Sequence, residues 1–157
     1  MRLGVRWTSV FGIALMASAA SAAAQRPATI EECAAGAERV VVASVDDVTA
    51  TYESNAFGDR LIVSHARLRI EEALKGPADP MTLDYEGGTV DGVTLHVSSL
   101  PALARGERAV FFVTRGAKGE FTPHLRGQGI VKLDETDRVP HTSLTLADMR
   151  RMVGQAR

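Results

Sequence analysis

The run Ile62-Val63-Ser64-His65-Ala66-Arg67-Leu68-Arg69-Ile70-Glu71 decides the fold class. In an extended chain Ile62, Ser64, Ala66, Leu68 and Ile70 share one side, and Val63, His65, Arg67, Arg69 and Glu71 share the other. One face is apolar and one is wet, as in an antiparallel strand lying over a core. Leu74-Lys75-Gly76-Pro77 closes the strand. On its N-terminal side, Val40-Val41-Val42-Ala43-Ser44-Val45 predicts a strand buried on both faces. Between the two, the polar stretch Thr49 to Arg60, with Asn55, Gly58 and Asp59, predicts a hairpin loop.

Working toward the C-terminus, Met81, Leu83 and Tyr85 alternate with Thr82, Asp84 and Glu86 in a third strand. Gly87-Gly88 and Asp91-Gly92 supply turns, and Val93, Leu95 and Val97 alternate in a fourth strand. Leu100 to Arg108, containing Pro101 and Gly106, reads as a loop. Ala109 to Thr114 (Ala-Val-Phe-Phe-Val-Thr) is the strongest core strand, and Glu120 to Leu133 carries one or two more, with a bulge or bend at Gly127 and Gly129. Helices are expected at both ends. Thr29 with Glu32 makes a capping box ahead of Ile30, Cys33, Ala34 and Ala37, and that helix stops near Gly36 to Glu38. Ser143 or Thr145 caps a last helix with Leu146, Met149 and Met152 as its apolar stripe; Arg150, Arg151 and Arg157 complement its C-terminus. Five or six strands with a helix at each end fit a small closed or half-closed barrel, which removes exposed edges. A β-sandwich satisfies the same alternation.

The first 24 residues predict a compartment. Arg2 and Arg6 precede the uncharged apolar core Val10 to Ala17, and Ala22-Ala23-Ala24 supplies a small-x-small cleavage site before Gln25. An uncleaved anchor is the alternative; Thr8, Ser9, Ser18 and Ser21 dilute the run from Trp7 to Ala24, which reaches only about the lower length limit for a spanning helix. The expectation is therefore a signal peptide over 1–24 and one exported domain over 25–157, periplasmic or extracellular, with its barrel core at about 39–133. The formal net charge of the whole chain is −1, and no basic cluster stands out. That balance excludes general attraction to nucleic acid or anionic lipid, and stable membrane insertion is not expected after signal cleavage. The lone Cys33 has no disulfide partner within the chain and reads as a buried helix residue, with a reactive or dimer-forming thiol as the alternative.

Five blocks carry a family resemblance: Val40 to Val45, Ala66 to Gly76, Gly87-Gly88-Thr89-Val90-Asp91-Gly92, Gly106-Glu107-Arg108-Ala109-Val110-Phe111-Phe112-Val113, and Gly127-Gln128-Gly129. Their order and spacing over roughly Arg39 to Leu133 resemble a widespread group of uncharacterised bacterial exported proteins with an OB-like barrel. More remotely they are similar to the N-terminal barrel of tissue inhibitors of metalloproteinases and to netrin-type modules. The resemblance implies an OB-like barrel and favours binding over catalysis. It does not imply the inhibitors' zinc chelation, which uses a mature N-terminal cysteine. Here the expected N-terminus is Gln25, and Cys33 is internal.

Candidate chemistry is sparse. His65, His96, His124 and His141 lack metal-ligand spacing, and no HExxH is present. His65 and His96 stand at outward strand positions from which they can meet across a barrel face, although surface histidines explain them better. Ser98, Ser99 and Ser143 lie outside any GxSxG elbow. The pairs Asp46-Asp47 and Glu71-Glu72 each split across two strand faces. Asp134-Glu135-Thr136-Asp137 reads as a solvated turn and lacks the glycine and terminal glutamate of a calcium loop. Gly87-Gly88 and Gly92 read as a tight connection and not as a phosphate loop, because no GK[ST] follows. Arg67 and Arg69 share a face with His65, a small patch facing anions but no nucleic-acid platform. The sequence thus assigns no catalytic residue, no metal site and no cofactor. It predicts a non-enzymatic module binding a protein or peptide partner, a secreted protease among the candidates, through the rim loops Thr49 to Arg60 and Leu100 to Arg108 or through a strand edge. The alternatives are a secreted hydrolase whose site is assembled only in three dimensions, and an envelope structural protein.

Overall fold

The computed structural model describes residues 26–55 and 57–156. The expected signal peptide and the terminal Arg157 lie outside the described residues. Helix α1, Ile30–Gly36, is capped as expected: the Thr29 side chain accepts from the Glu32 amide, and the Glu32 carboxylate accepts from the Thr29 amide. Strands follow at β1 Arg39–Ser54, β2 Arg60–Lys75, β3 Met81–Glu86, β4 Gly88–Val90, β5 Val93–Leu95, β6 Arg108–Arg115, β7 Phe121–Pro123 and β8 Ile130–Leu133, and helix α2 spans Leu146–Gln155.

β1 pairs antiparallel with β2 on one edge and, along Arg39–Ser44, with β6 on the other. β2 pairs with β3, β3 with β7 in parallel, and β7 and then β8 occupy successive stretches of the remaining edge of β6. The ring β1-β2-β3-β7-β6 therefore returns to β1, an OB-like barrel with β4 and β5 as a separate two-stranded sheet. Val41, Ala43, Val45, Leu68, Leu83, Phe111 and Val113 fill the interior. The alternate residues Val40, Val42, Val110 and Phe112 face outward, where Cys33, Ala34 and Ala37 of the α1 segment and Leu146, Met149 and Val153 of α2 cover them. This second core explains the unbroken apolar runs of β1 and β6: both strands are sandwiched between barrel lumen and helices. Full burial of Phe111 or Phe112 contributes roughly 1.5–3 kcal/mol each.

Several expectations need correction. Thr49 to Ser54 is not loop. It continues β1, with Thr49 opposite His65 and Ser54 opposite Arg60. The β-branched Thr49 and Thr51 and the aromatic Tyr52 suit a pleated surface, and Arg60 stacks over the Tyr52 ring at 3.8 Å. The β1–β2 pair therefore extends past the barrel as an arm, paired as far as Ser54 opposite Arg60. The expected fourth strand is the short β4–β5 ribbon, and Val93 is 55% exposed. Asp91 and Gly92, at φ 51° and 79°, form the two-residue turn that closes it, and three-residue strands are too short to enter the main ring. Gly88 fits because it lacks a Cβ: at φ 126°, one would stand 2.5 Å from Ser64 Oγ and 3.0 Å from Ala50 Cβ.

The interruption at Gly127 and Gly129 is a 3-10 turn, Arg126–Gly129, entered through Leu125 at φ 52°. Thr145, not Ser143, caps α2 by a capping box with Asp148. The buried stripe of α2 is Leu146, Met149 and Val153; Met152 falls off that face because it sits six residues after Leu146 where the helical repeat favours seven. Arg150 and Arg151 serve other ends than the helix C-terminus. Arg150 makes a forked ion pair with Glu72 of β2 at 2.7 and 3.1 Å, and Arg151 pairs with Asp148.

Candidate binding surface

The arm exists because β1 and β2 keep pairing through nine register pairs, Val45 to Ser54, after β1 leaves β6 at Ser44, and the last three, Tyr52–Ser54 with Arg60–Ile62, also pass the end of β3. Its turn is ordered by one side chain. Asn55 Oδ1 accepts from the amides of Phe57 and Asp59, both at 2.9 Å, and Asn55 Nδ2 donates to Asp59 at 3.0 Å. Phe57, presented by this turn, is 90% exposed. A large aromatic ring on a preorganised turn costs little ordering entropy to dock, which is the property of interface anchors.

Beside the arm runs a groove of about 450 Å³. It opens where β3 meets β7, a parallel junction made by one residue pair, Leu83 with Phe121. Leu61, Val63, Tyr85, Leu100 and Pro123 give it apolar walls, and Glu53, Asp84, Glu86, Lys118, Glu120 and Arg126 ring it with charge. Arg126 braces the rim, donating to Glu86 at 3.0 Å and to Ser99 Oγ at 3.1 Å. Burial raises the Tyr85 phenol above its usual range, against hydrogen bonding with Ser64 and Leu103.

On the outer face of the same three strands, cross-strand pairing sets His65 between acidic and hydroxyl partners. Nδ1 lies 2.8 Å from Asp84 Oδ1, its direct neighbour on β3; Nε2 lies 3.1 Å from Glu53 and 3.2 Å from Thr51 Oγ1. Ionised, the Asp84 and Glu53 carboxylates both accept only, so each contact is a hydrogen bond where the facing ring nitrogen carries the proton. Two nitrogens facing opposite carboxylates cannot converge on one ion, and no metal-holding group of three or more His, Cys, Asp or Glu occurs among the described residues.

The other candidates disperse. His96 is exposed beside a separate cavity of about 310 Å³ formed by the Gly87–Gly88 turn and residues 95–103; His65 is not among its lining residues. His124 packs over Gly36 of α1, and burial, then the Lys75 ammonium, lower its pKa. His141 sits exposed in a turn at φ 62°. Ser98 and Ser143 are exposed, and Ser99 is occupied by Arg126.

The Glu71-Glu72 pair splits as expected, but the register shift between Val45 and Asp47 breaks the alternation at Asp46-Asp47, since Val45 and Val48 on either side both pack on the barrel interior. Asp46 takes Arg69, Glu71 takes Ser44 and Arg108, and Glu72 takes Arg150. For Glu71, burial opposes the charge, but Ser44 and Arg108 outweigh it and bring the pKa down. Asp134 closes its own turn by accepting from Thr136 and the Arg138 amide, while Asp137 pairs with Arg108. Cys33 is buried, and burial raises its thiol pKa.

Sequence reasoning missed Thr51, Glu53 and Asp84 because their proximity to His65 depends on strand register. It missed Phe57 because a single apolar residue in a polar loop carries no periodic signal. No family model matches the chain, and no curated protein is significantly similar to it.

Proposed function

We propose that the chain is an exported, non-enzymatic module that binds a protein or peptide partner through the tip of its β1–β2 arm and the groove beside it. The observation that carries this reading is Phe57, 90% exposed on a turn held by Asn55, with an apolar groove alongside. Burying such a ring contributes roughly 1.5–3 kcal/mol, or about 10- to 100-fold in affinity. The free stretch of β3 beyond Leu83 adds backbone groups that an extended peptide can pair with. A secreted protease is the partner class suggested by the resemblance to metalloproteinase inhibitors.

The experiment compares affinity capture from the native periplasm or culture medium by wild type and by Phe57→Ser. A surface change of this kind leaves the fold intact, and circular dichroism verifies that. The reading expects a discrete partner retained by wild type and depleted at least tenfold by the variant. Capture of the same proteins by both, or of none, overturns it.

One observation favours a second reading, a hydrolase. Thr51, His65 and Asp84 stand in the order of nucleophile, base and orienting carboxylate. Against it, Glu53 crowds the same Nε2 that must take the threonine proton, and Thr51 and His65 lie outside the groove lining. A fluorophosphonate probe discriminates. A mass adduct on Thr51, abolished by His65→Gln, supports hydrolysis; an unmodified protein removes that reading.

A further inference from the structure

The arm and groove do not account for a cleft of about 400 Å³ bounded by Val45, Asp46, Arg67, Arg69, Arg105 and Gly106. None of these six lines the groove. Its construction begins with an irregularity in β1. The register against β2 shifts between Val45, opposite Leu68, and Asp47, opposite Arg67, so Asp46 bulges out of the ladder. At the same point β6 has ended its pairing, and the loop before it takes over the β1 edge. Gly106 donates to Val45 O at 2.8 Å, and Val45 donates to Glu107 O at 2.8 Å. These two bonds pin Arg105 beside the two outward arginines of β2, whose i, i+2 spacing sets them roughly 7 Å apart on one face.

Three guanidiniums and one carboxylate thus line the cleft, and a second carboxylate, Asp47, stands opposite Arg67 in the β1–β2 register without lining it. Asp46 is engaged by Arg69 Nε at 3.1 Å. Glu71 also lies within electrostatic reach of Arg69, but its oxygens are taken by Ser44 and Arg108. Glu107 is committed to Lys132 and the Ala104 amide. Arg67 and Arg105 make no side-chain hydrogen bond, ion pair or ring contact among the described residues. Elsewhere most described arginines have a partner: Arg26, Arg108, Arg115, Arg126, Arg150 and Arg151 an acidic group, Arg60 the Tyr52 ring, and Arg39 the Phe121 ring with Asp79 at 4.0 Å, although its buried Nε makes no hydrogen bond. Only the Arg138 side chain shares the unpaired condition, so two of the three unpaired guanidiniums converge on one concavity. A chain of net charge −1 has no general need for such a concentration of positive charge.

We propose that this cleft is a binding site for a tetrahedral dianion, a phosphate or sulfate group, with Arg67 and Arg105 as its forked donors. Arg69, held by Asp46, is the third cation. The four side chains sum to a charge of about +2, which matches a dianion. The forks of guanidinium groups pair bidentately with tetrahedral oxyanions, and Asp46 turns Arg69 toward the bulge while discouraging larger anionic surfaces.

The test is an NMR titration of the protein with inorganic phosphate at pH 7.5, and separately with sulfate, at ionic strength held constant by sodium chloride. Acetate serves as the planar monoanion control. Expected are saturable shifts at the Arg67 and Arg105 side-chain Nε–Hε signals and at the Gly106 amide. Affinity should fall at least tenfold in Arg67→Gln/Arg105→Gln, whose remaining spectrum stays superimposable on wild type. Phosphate binding without sulfate binding, or the reverse, identifies which dianion the cleft selects and supports the site. Shifts that grow linearly without saturation, match those of acetate, or persist in the double variant overturn it.

Discussion

Lys75→Met removes the ammonium that joins the barrel to helix α1. Lys75, the last residue of β2, donates to Ala34 O and Ala37 O, both at 2.7 Å, and approaches Ala35 O at 3.4 Å. These carbonyls belong to the group that a helix leaves unsatisfied at its C-terminus, and α1 has no basic residue of its own in the last turn. Ala34 and Ala37 are 1% and 3% exposed, so water replaces the lost donor poorly. Each hydrogen bond to a charged donor contributes about 1.5–3 kcal/mol. The two shorter bonds share one ammonium, and Met keeps the stem buried, so the expected loss is about 2–4 kcal/mol. For a domain of this size that lowers Tm by roughly 8–15 °C. Urea unfolding measures the loss, and Cys33 reports its location: α1 loosens first, so the thiol reacts with a disulfide reagent well below the urea midpoint. A change under 0.5 kcal/mol, or a Cys33 that stays protected until global unfolding, refutes the assignment of Lys75 as the cap of α1.

His124 makes stability fall with acid. Burial and Lys75 hold its native pKa below the unfolded value of about 6.5, so the unfolded chain takes up the proton first, and stability is full above that value and declines as pH drops below it. His124→Gln should flatten this part of a urea-midpoint profile between pH 7 and 5; an unchanged slope counts against the assignment. In the wild type at pH 7.5, Cys33, 2% exposed with its pKa raised by burial, should react with a thiol reagent only through unfolding, at a rate independent of reagent concentration at high excess. A reaction as fast as that of a free peptide thiol contradicts its placement. Gly88→Ala should cost about 2–4 kcal/mol by combining positive-φ strain with a clash against Ser64 and Ala50, and thermal unfolding measures it.

Much of this fold is legible in the sequence where burial imposes a period. The alternation of Ile62 to Glu71 places every side chain of that stretch on its observed face, and the continuous runs at Val40 and Ala109 correspond to strands with a core on each side. The capping box at Thr29 is local, so four residues suffice to see it, whereas for α2 the sequence left Ser143 and Thr145 open and the box of Thr145 with Asp148 decided between them. Thr49 to Ser54 escaped because its polar alternation, half in the wet arm, resembles a loop in composition. The site was nearly invisible for a different reason. His65 meets Asp84 through the β2–β3 register, and Arg105 meets Arg67 through a loop pinned on a bulge; neither neighbour relation has a sequence period. Arg67 and Arg69 were visible as a pair, but their third member was not.

The barrel closes weakly where it has fewest ways to bond, and that weakness creates the groove. β3 and β7 run parallel, and a three-residue β7 ending in Pro123 provides few amides to donate to β3. Backbone pairing therefore stops at Leu83 and Phe121. Side chains reinforce the junction: the guanidiniums of Arg39 and Arg115 stack on the Phe121 ring, at 4.6 and 4.5 Å, and Arg126 donates to Glu86 across the rim. A sheet fully bonded here would have no apolar cleft between Val63 and Pro123. The Gly127–Gly129 turn serves the same end, since it breaks the last strand into β7 and β8 and carries Arg126 to the mouth. One short, interrupted strand thus both completes the ring and leaves the opening beside which the arm presents Phe57.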